Sequence, residues 1–406
     1  MTRKRLLFVI PCLGGGGAEK SLINLLRALE RRGAGAAFDV DVYLFRRQGL
    51  FLDQLPPWVR VLCPGEPFER FDGPAGTGIR WFLRRGRWDL AFCRICYGFA
   101  QKRTDPLAAW RWLRYALPRP KERYDAAAGY LEGCATYFAA ERVRAGRRLG
   151  FFHNEYSSHA AMARADKRYF PRLDAVVGVS ALCCDSLRTA YPQLREKIAK
   201  VENIVSPALL RSLAGAQPPP WEADGNPVLL TIGRAAAQKG LDLAVRACGI
   251  LRREGVRLRW FQLGSDGEQL CALIREEGAE EMFFPLGETD NPYPALAACD
   301  IYVQPSRYEG KSLAIEEAKA LAKPIVCTRF GTVADQLTDG EIARLAEISP
   351  EGIAAAIREL LENAALRERF RARLAARASG NEDQADAFLQ LAGCGEFCKL
   401  EEDFSR

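Results

Sequence analysis

Short apolar runs alternate with stretches of helical periodicity along almost the whole chain. Residues 6–10, 40–45, 59–62, 89–92, 126–131, 149–152 and 176–179 read as buried strands, and 197–202 as the last strand of a first series. Between the first two runs, Leu22, Leu25, Leu26 and Leu29 recur at helical spacing. Proline and small residues then gather at Pro207 and in Gln217-Pro-Pro-Pro220, which marks a linker. A second series follows at 228–232, 258–263, 282–285, 301–304 and 325–327, with helical stretches at 351–362 and 366–378. The pattern predicts two doubly wound, Rossmann-like α/β domains in tandem, 1–205 and 206–385. A tail, 386–406, is expected to be helical and to pack back on the first domain. Such sheets bind ligands beyond the carboxyl ends of their strands, so the two domains are expected to face a cleft that holds the site.

One stretch, 305–330, carries more information than the rest. It reads as strand end, tight loop, helix and second strand, with Ser312 as N-cap and Pro324 beyond the helix end. Leu313, Ala314, Ala320 and Leu321 share one face, and Glu316 and Lys319 point away from it. Glu317 falls in the middle of the apolar face, where a carboxylate is costly unless something pairs with it. Either the fold itself satisfies it, or it is aimed at a ligand hydroxyl. The free N–H groups at the helix start, reached through Glu309-Gly310-Lys311-Ser312, make a natural anion site. Glu309 and Glu317 are eight residues apart, about 12 Å if all helical. A hydrolase pair sits at about 5–9.5 Å, so the spacing suits two contacts on an elongated ligand.

Other loops after strands carry chemistry as well. Gly14-Gly-Gly-Gly-Ala-Glu19 follows the first strand as a turn or a phosphate cradle, with Glu19 where a dinucleotide fingerprint has its third glycine. Gly233-Arg-Ala-Ala-Ala-Gln-Lys-Gly240 offers Arg234 as a fork and Lys239 as a point charge, a pair suited to a diphosphate. Gly264-Ser-Asp-Gly267 is a further glycine turn, and His153 ends an apolar strand.

Composition narrows the classes. The 406 residues are 48% hydrophobic and 27% charged, ordinary for a globular protein, and no apolar run is long enough to span a membrane. Thirteen cysteines with no secretory signal suggest reduced thiols and a cytoplasmic setting. Cys93-Arg-Ile-Cys96 lacks a second half-site, and Cys394 and Cys398 have the wrong gap. A cysteine ending a buried strand is therefore expected, not a metal ligand. The net charge of +7 is uneven: residues 60–123 hold fourteen Lys/Arg against six Asp/Glu, with Trp81, Trp88, Trp110 and Trp112 interleaved. That suits an anionic surface, and no nucleic-acid module accompanies it. Along 107–117, Trp112 and Tyr115 beside Arg111 and Arg114 form a second face, which either packs under a neighbouring loop or meets lipid headgroups on the inner face of the membrane as a peripheral contact.

These residues resemble the retaining glycosyltransferases of family 4, of GT-B fold, over most of the chain. Asn291-Pro-Tyr-Pro, Ala298-Cys-Asp300 and Pro305-Ser-Arg-Tyr-Glu-Gly310 are similar to the approach to the family's E-x7-E motif, here Glu309 and Glu317. Gly233-Arg234 with Lys239-Gly240 resembles its diphosphate loop, Gly16-Gly17-Ala18-Glu19 its amino-terminal glycine loop, and Phe152-His153-Asn154 its cleft histidine. Tyr130-Leu-Glu-Gly133 and His153-Asn-Glu-Tyr156 are similar to members that assemble surface polysaccharides. The resemblance implies a first domain on the acceptor side and a second binding the nucleotide sugar, a UDP-sugar in preference, with a saccharide or lipid-linked acceptor. Arg234 and Lys239 would neutralise the leaving diphosphate, Glu317 bind ribose, and Glu309 and His153 contact the transferred sugar. Amides of Gly16, Gly17, Gly310, Lys311, Ser312 and Leu313 would hold phosphate oxygens, with no cofactor and no metal. Lys311 stands where an apolar residue is usual, Ala322 where glycine is common, and no Gly-rich segment follows Gly340. The competing readings are a metal-dependent single-domain transferase using Asp39 and Asp41, a nicotinamide enzyme, and a non-enzymatic polysaccharide- or nucleic-acid-binding protein.

Overall fold

The computed structural model describes residues 3–156, 161–265 and 267–395, so Asp266, Cys398 and the end of the tail lie outside the described residues. The chain divides into two compact units, Met1–Ile204 with Asp383–Arg406, and Val205–Glu382.

The first unit is built on a seven-stranded parallel sheet. Its strands are β1 (Lys4–Ile10), β2 (Phe38–Leu44), β3 (Val59–Leu62), β4 (Arg123–Gly129), β5 (Arg144–Phe152), β6 (Ala175–Gly178) and β7 (Ile198–Lys200), in the order β3-β2-β1-β4-β5-β6-β7. Leu6 pairs with Val40 on one side and Ala126 on the other, so β1 is central. Its apolar run serves both faces. Leu7 and Val9 pack with Phe82, Trp110 and Phe138, while Leu6, Phe8 and Ile10 pack with Leu22, Leu26 and Phe388. Phe388 belongs to the helix Gln384–Leu391, which returns from the far end of the chain to cover this second face.

Between β3 and β4 stand four helices, Glu66–Asp72, Ala75–Arg84, Trp88–Lys102 and Pro106–Ala116. The strand expected at 89–92 is therefore helical. Four consecutive apolar residues, Leu90 to Cys93, cannot separate a strand from a buried helix segment, and here tertiary packing selects the helix. Cys93 and Cys96 lie one turn apart on it and not at a strand end. Burial pushes the Cys93 thiol up. Trp112, expected to project from the next helix, is half-buried with Phe92 edge-on at 5.7 Å, and Arg114 pairs with Glu141. Of that face only Arg111 and Tyr115 are exposed.

The second unit holds a six-stranded parallel sheet: β8 (Val228–Ile232), β9 (Arg259–Leu263), β10 (Phe283–Pro285), β11 (Ile301–Gln304), β12 (Ile325–Thr328) and β13 (Ala343–Ala346), ordered β10-β9-β8-β11-β12-β13. β13 has no counterpart in the apolar pattern, because Arg344 and Leu345 are only half-buried at this edge. Leu229, Trp260, Val303 and Val326 pack on one face under the helices Leu241–Arg253 and Pro350–Glu362. Leu230, Phe261, Tyr302 and Ile325 pack on the other, with Leu313 and Ile315.

Candidate active site

In the second unit β8 and β11 are neighbours although two strands separate them in the chain, so the sheet order reverses between them. At such a reversal the following loops diverge and leave a crevice at the carboxyl ends of the strands. The loops concerned are 233–240 and 305–312, and close contacts lock them together. Gly240 has φ +62°, and a Cβ there would come within 2.0 Å of the Pro305 carbonyl oxygen. Gly264, with φ +131°, lies so close that its Cβ would meet the Gly233 oxygen at 2.4 Å. Gln262 Nε2 donates to the Gly233 oxygen at 2.7 Å, and Arg307 forks onto Asp242 at 2.7 and 2.6 Å while also reaching the Ala237 oxygen. Side chains on this frame are held in place before any ligand arrives.

Glu309 is buried, and Oε1 receives Lys239 Nζ at 2.6 Å, Ser306 Oγ at 2.7 Å and Gln304 Nε2 at 3.1 Å. Gln238 Nε2 approaches Oε2 at 3.4 Å. Its negative charge, after burial, holds the Tyr302 hydroxyl and the Cys327 thiol far above their ordinary values. Lys239 is thus already paired, whereas the Arg234 side chain is exposed and its guanidinium makes no hydrogen bond or ion pair among the described residues. The two cations expected to act alike stand in different states.

The helix Leu313–Ala320 begins at Ser312, whose Oγ accepts from Ile315 N at 3.4 Å. The Ser312 amide itself goes to Gln336 Oε1 at 2.8 Å, and Gln336 Nε2 returns to the Ser312 oxygen and to Glu316. Ser312 N–H is therefore spent within the fold and is not a phosphate donor. The N–H groups of Leu313 and Ala314 donate to no acceptor among the described residues, as a helix start requires. Gly310 is buried and Lys311 half-buried beside them. One turn on, Glu317 is 1% exposed, and its Oε1 accepts from the Tyr293 hydroxyl at 2.9 Å. Sequence reading missed Gln336 and Tyr293. The second had a signal in Asn291-Pro-Tyr-Pro, but the first had none, because its partner lies 24 residues back.

In the first unit the order reverses between β1 and β4, and the expected residues sit at that edge. Gly16 caps the helix Gly17–Arg31, whose Ser21 Oγ meets the Tyr130 hydroxyl at 3.0 Å and Asn203 Oδ1 at 2.6 Å. His153 follows β5 and is buried. Its Nε2 is 3.0 Å from the Tyr130 carbonyl oxygen, which can only accept, so Nε2 carries the proton. Nδ1 is left a buried acceptor with no partner among the described residues. Burial lowers the imidazole pKa, opposed by the nearby Glu132 and the Tyr130 carbonyl. Gly16, Gly17 and His153 thus belong to one unit, and Arg234, Lys239, Glu309 to Leu313 and Glu317 to the other.

The acid pair of the metal-dependent reading is otherwise engaged. Asp41 accepts from Arg60 at 2.7 and 2.6 Å and from the Tyr124 hydroxyl at 2.7 Å. Two cavities of the second unit, about 510 and 490 Å³, are lined by Arg211, Leu321 and Ala378, and by Trp221, Arg259 and Asp300. Neither is lined by the loops at the β8/β11 reversal. Convergent polar groups, and not enclosed volume, single out those loops.

The family model of "Glycosyl transferases group 1" matches residues 217–377. The match falls within the second unit. Within it the matched segment takes in both loops of the reversal and the carboxylates Glu309 and Glu317. The chain is 31% identical over 169 residues to LpsE, a lipopolysaccharide core biosynthesis glycosyltransferase of Rhizobium meliloti (strain 1021). That match takes in 41% of this chain and 49% of the relative, so it spans about half the relative's length. Over nearly the whole chain the fold is that of GT-B glycosyltransferases. Anabaena Alr3699/HepE in complex with UDP and glucose is 16% identical, with a TM-score of 0.64 over 99% of this chain and 100% of that one. A glycosyltransferase of Rickettsia africae ESF-5 is 15% identical, with a TM-score of 0.65 over 98% and 100%. WaaG, involved in lipopolysaccharide biosynthesis, is 15% identical, with a TM-score of 0.59 over 92% and 95%.

Proposed function

We propose that the chain transfers a sugar from a nucleotide sugar, UDP-linked in preference, to a saccharide or lipid-linked acceptor, with retention of configuration. The process we assign it to is bacterial cell-surface polysaccharide synthesis, as the name of LpsE suggests. One observation carries the reading: Lys239, from the loop that also holds Arg234, pairs with Glu309 just before the Leu313–Ala320 helix, at the strand-order reversal of the second unit. A diphosphate here meets the guanidinium, the ammonium and the free amides of Leu313 and Ala314, donors suited to the charge that develops on the leaving group. Glu317 binds ribose hydroxyls, and Glu309 binds hydroxyls of the transferred sugar.

The bond from the anomeric carbon to the diphosphate oxygen breaks, and a bond to the acceptor oxygen forms on the same face. The acceptor proton passes to the departing diphosphate. As the diphosphate charges up, Lys239 shifts from Glu309 toward it, leaving Glu309 to the sugar. His153 Nδ1 serves as a neutral acceptor for a further sugar hydroxyl. Retention rests on the likeness to family 4, and UDP on the HepE complex.

A thermal-shift panel of UDP, GDP and ADP with their sugars tests the reading, since a ligand of the folded state raises the melting temperature. The expected result is a rise with UDP. No rise with any nucleoside diphosphate overturns the function, and an inverted anomeric centre by product NMR overturns the stereochemistry alone.

A further inference from the structure

The helix Trp88–Lys102 buries Leu90, Ala91, Cys93 and Ala100 against its own unit. Its opposite side is also apolar. Trp88, Phe92, Ile95 and Phe99 are 69%, 58%, 42% and 62% exposed, and their spacing of four, three and four residues puts them within about 60° of arc. Leu83 of the helix Ala75–Arg84 and Tyr115 of the helix Pro106–Ala116 are exposed as well, and Phe92 rests on Trp112. A contiguous row of this size, facing water, marks an interaction surface and not a stray residue.

Its charge surroundings say what kind. From 80 to 123 there are twelve Lys/Arg and three Asp/Glu. Each acid is already engaged: Asp89 with Arg87 at 3.0 Å, Asp105 with the helix start at Leu107, and Glu122 with Arg60 at 3.2 Å. Arg80, Arg84, Lys102, Arg103 and Arg111 remain exposed around the apolar row. A second copy of the same face would bring like charges together. Nucleic acid would engage the arginines and stack on rings, but it offers nothing to Ile95 and Leu83. Acyl chains take aromatic and aliphatic groups alike, and phosphate headgroups take the arginines.

We infer that the row Trp88, Phe92, Ile95 and Phe99, with its rim of arginines, seats the protein on a bilayer containing anionic lipid. No helix among the described residues is long and apolar enough to cross a membrane, so the contact lies at the surface. The inference moves the expected membrane face from Trp112 to the preceding helix, and it stands apart from sugar transfer.

The test is co-sedimentation of the full chain with vesicles of phosphatidylcholine alone or mixed with phosphatidylglycerol. Wild type is expected to bind only the mixed vesicles, less so at high salt. Phe92→Ser with Phe99→Ser should weaken binding at least tenfold, and Arg84→Glu by about fivefold or more. Trp88→Ser, at the most exposed position, should weaken binding while keeping the wild-type melting temperature, which covers the case in which the double variant fails to fold. Wild-type failure to bind mixed vesicles, equal binding to phosphatidylcholine alone, or full binding by folded Trp88→Ser overturns the proposal. So does dimer dissociation or loss of RNA binding in these variants without any vesicle effect. Vesicle binding by a chain that binds no nucleotide leaves this inference standing and sinks the proposed function.

Discussion

Lys239 Nζ lies 2.6 Å from Glu309 Oε1, and each is the charge partner of the other across 70 residues of chain. Glu309 meets no second cation among the described residues, while Arg234 meets no anion. The two cations of this loop therefore differ: Lys239 is paired within the fold, and on the proposed function Arg234 is the one left to the ligand.

Arg234→Ala should cut turnover about 10²–10³-fold and leave the urea midpoint unchanged, because removing one charge-stabilising donor has that effect. Lys239→Ala should cut turnover similarly and also lower stability by about 1–3 kcal/mol, since a buried carboxylate loses its charged donor. Steady-state rates with urea unfolding separate the two. Equal stability losses would contradict the assignment.

Glu317→Gln should weaken UDP binding about tenfold or more, whereas Tyr293→Phe should cost about 1 kcal/mol of stability and leave UDP affinity nearly intact. Calorimetric titration with UDP and urea unfolding check both. If Glu317 serves the fold alone, both variants lose stability and neither changes affinity.

His153 predicts a pH effect with a definite sign. Burial lowers its folded pKa below the ordinary 6.5, so the unfolded chain takes up the proton first as pH falls. The stability of the first unit should therefore be full above about pH 6.5 and decline as pH drops toward the lowered folded value. His153→Gln should flatten this part of the melting-temperature profile. An unchanged profile would show the decline to come from other groups.

Ala322 sits at φ +53° just past the helix Leu313–Ala320, a position where L side chains are strained and glycine is favoured. Ala322→Gly should raise stability by about 0.5–1 kcal/mol despite glycine's greater freedom in the unfolded chain. Denaturant unfolding reads this directly, and a loss of stability would contradict the strain argument.

Much of the fold was legible because parallel strands covered on both faces are continuous apolar runs, as at Leu6 to Ile10. The same rule misled at Leu90 to Cys93, where a helix apolar on two sides has no amphipathic period to betray it. Glu317 was legible as an acid out of place on an apolar helix face, and Glu309 by its position in the loop eight residues before it. Their partners Lys239 and Tyr293 were not readable as partners, because pairing across loops follows from which strands adjoin and not from spacing. Gln336 gave no local hint at all.

The helix Gln384–Leu391 has a consequence for synthesis. Phe388 stacks on Phe8 of β1 at 5.2 Å, Asp386 pairs with Arg32 at 2.8 Å, and Gln384 Oε1 accepts from Glu202 N at 2.9 Å. The unit begun first on the ribosome is thus finished after the other, residues 205–382, has been made. At about 5–20 residues per second the part of the sheet face that Phe388 covers waits on the order of ten to forty seconds for it, although the helix Gly17–Arg31 is already at hand to cover the rest. During that interval the sides of Phe8 and Phe151 that meet Phe388 stay uncovered, so the nascent chain exposes apolar surface that the finished protein does not.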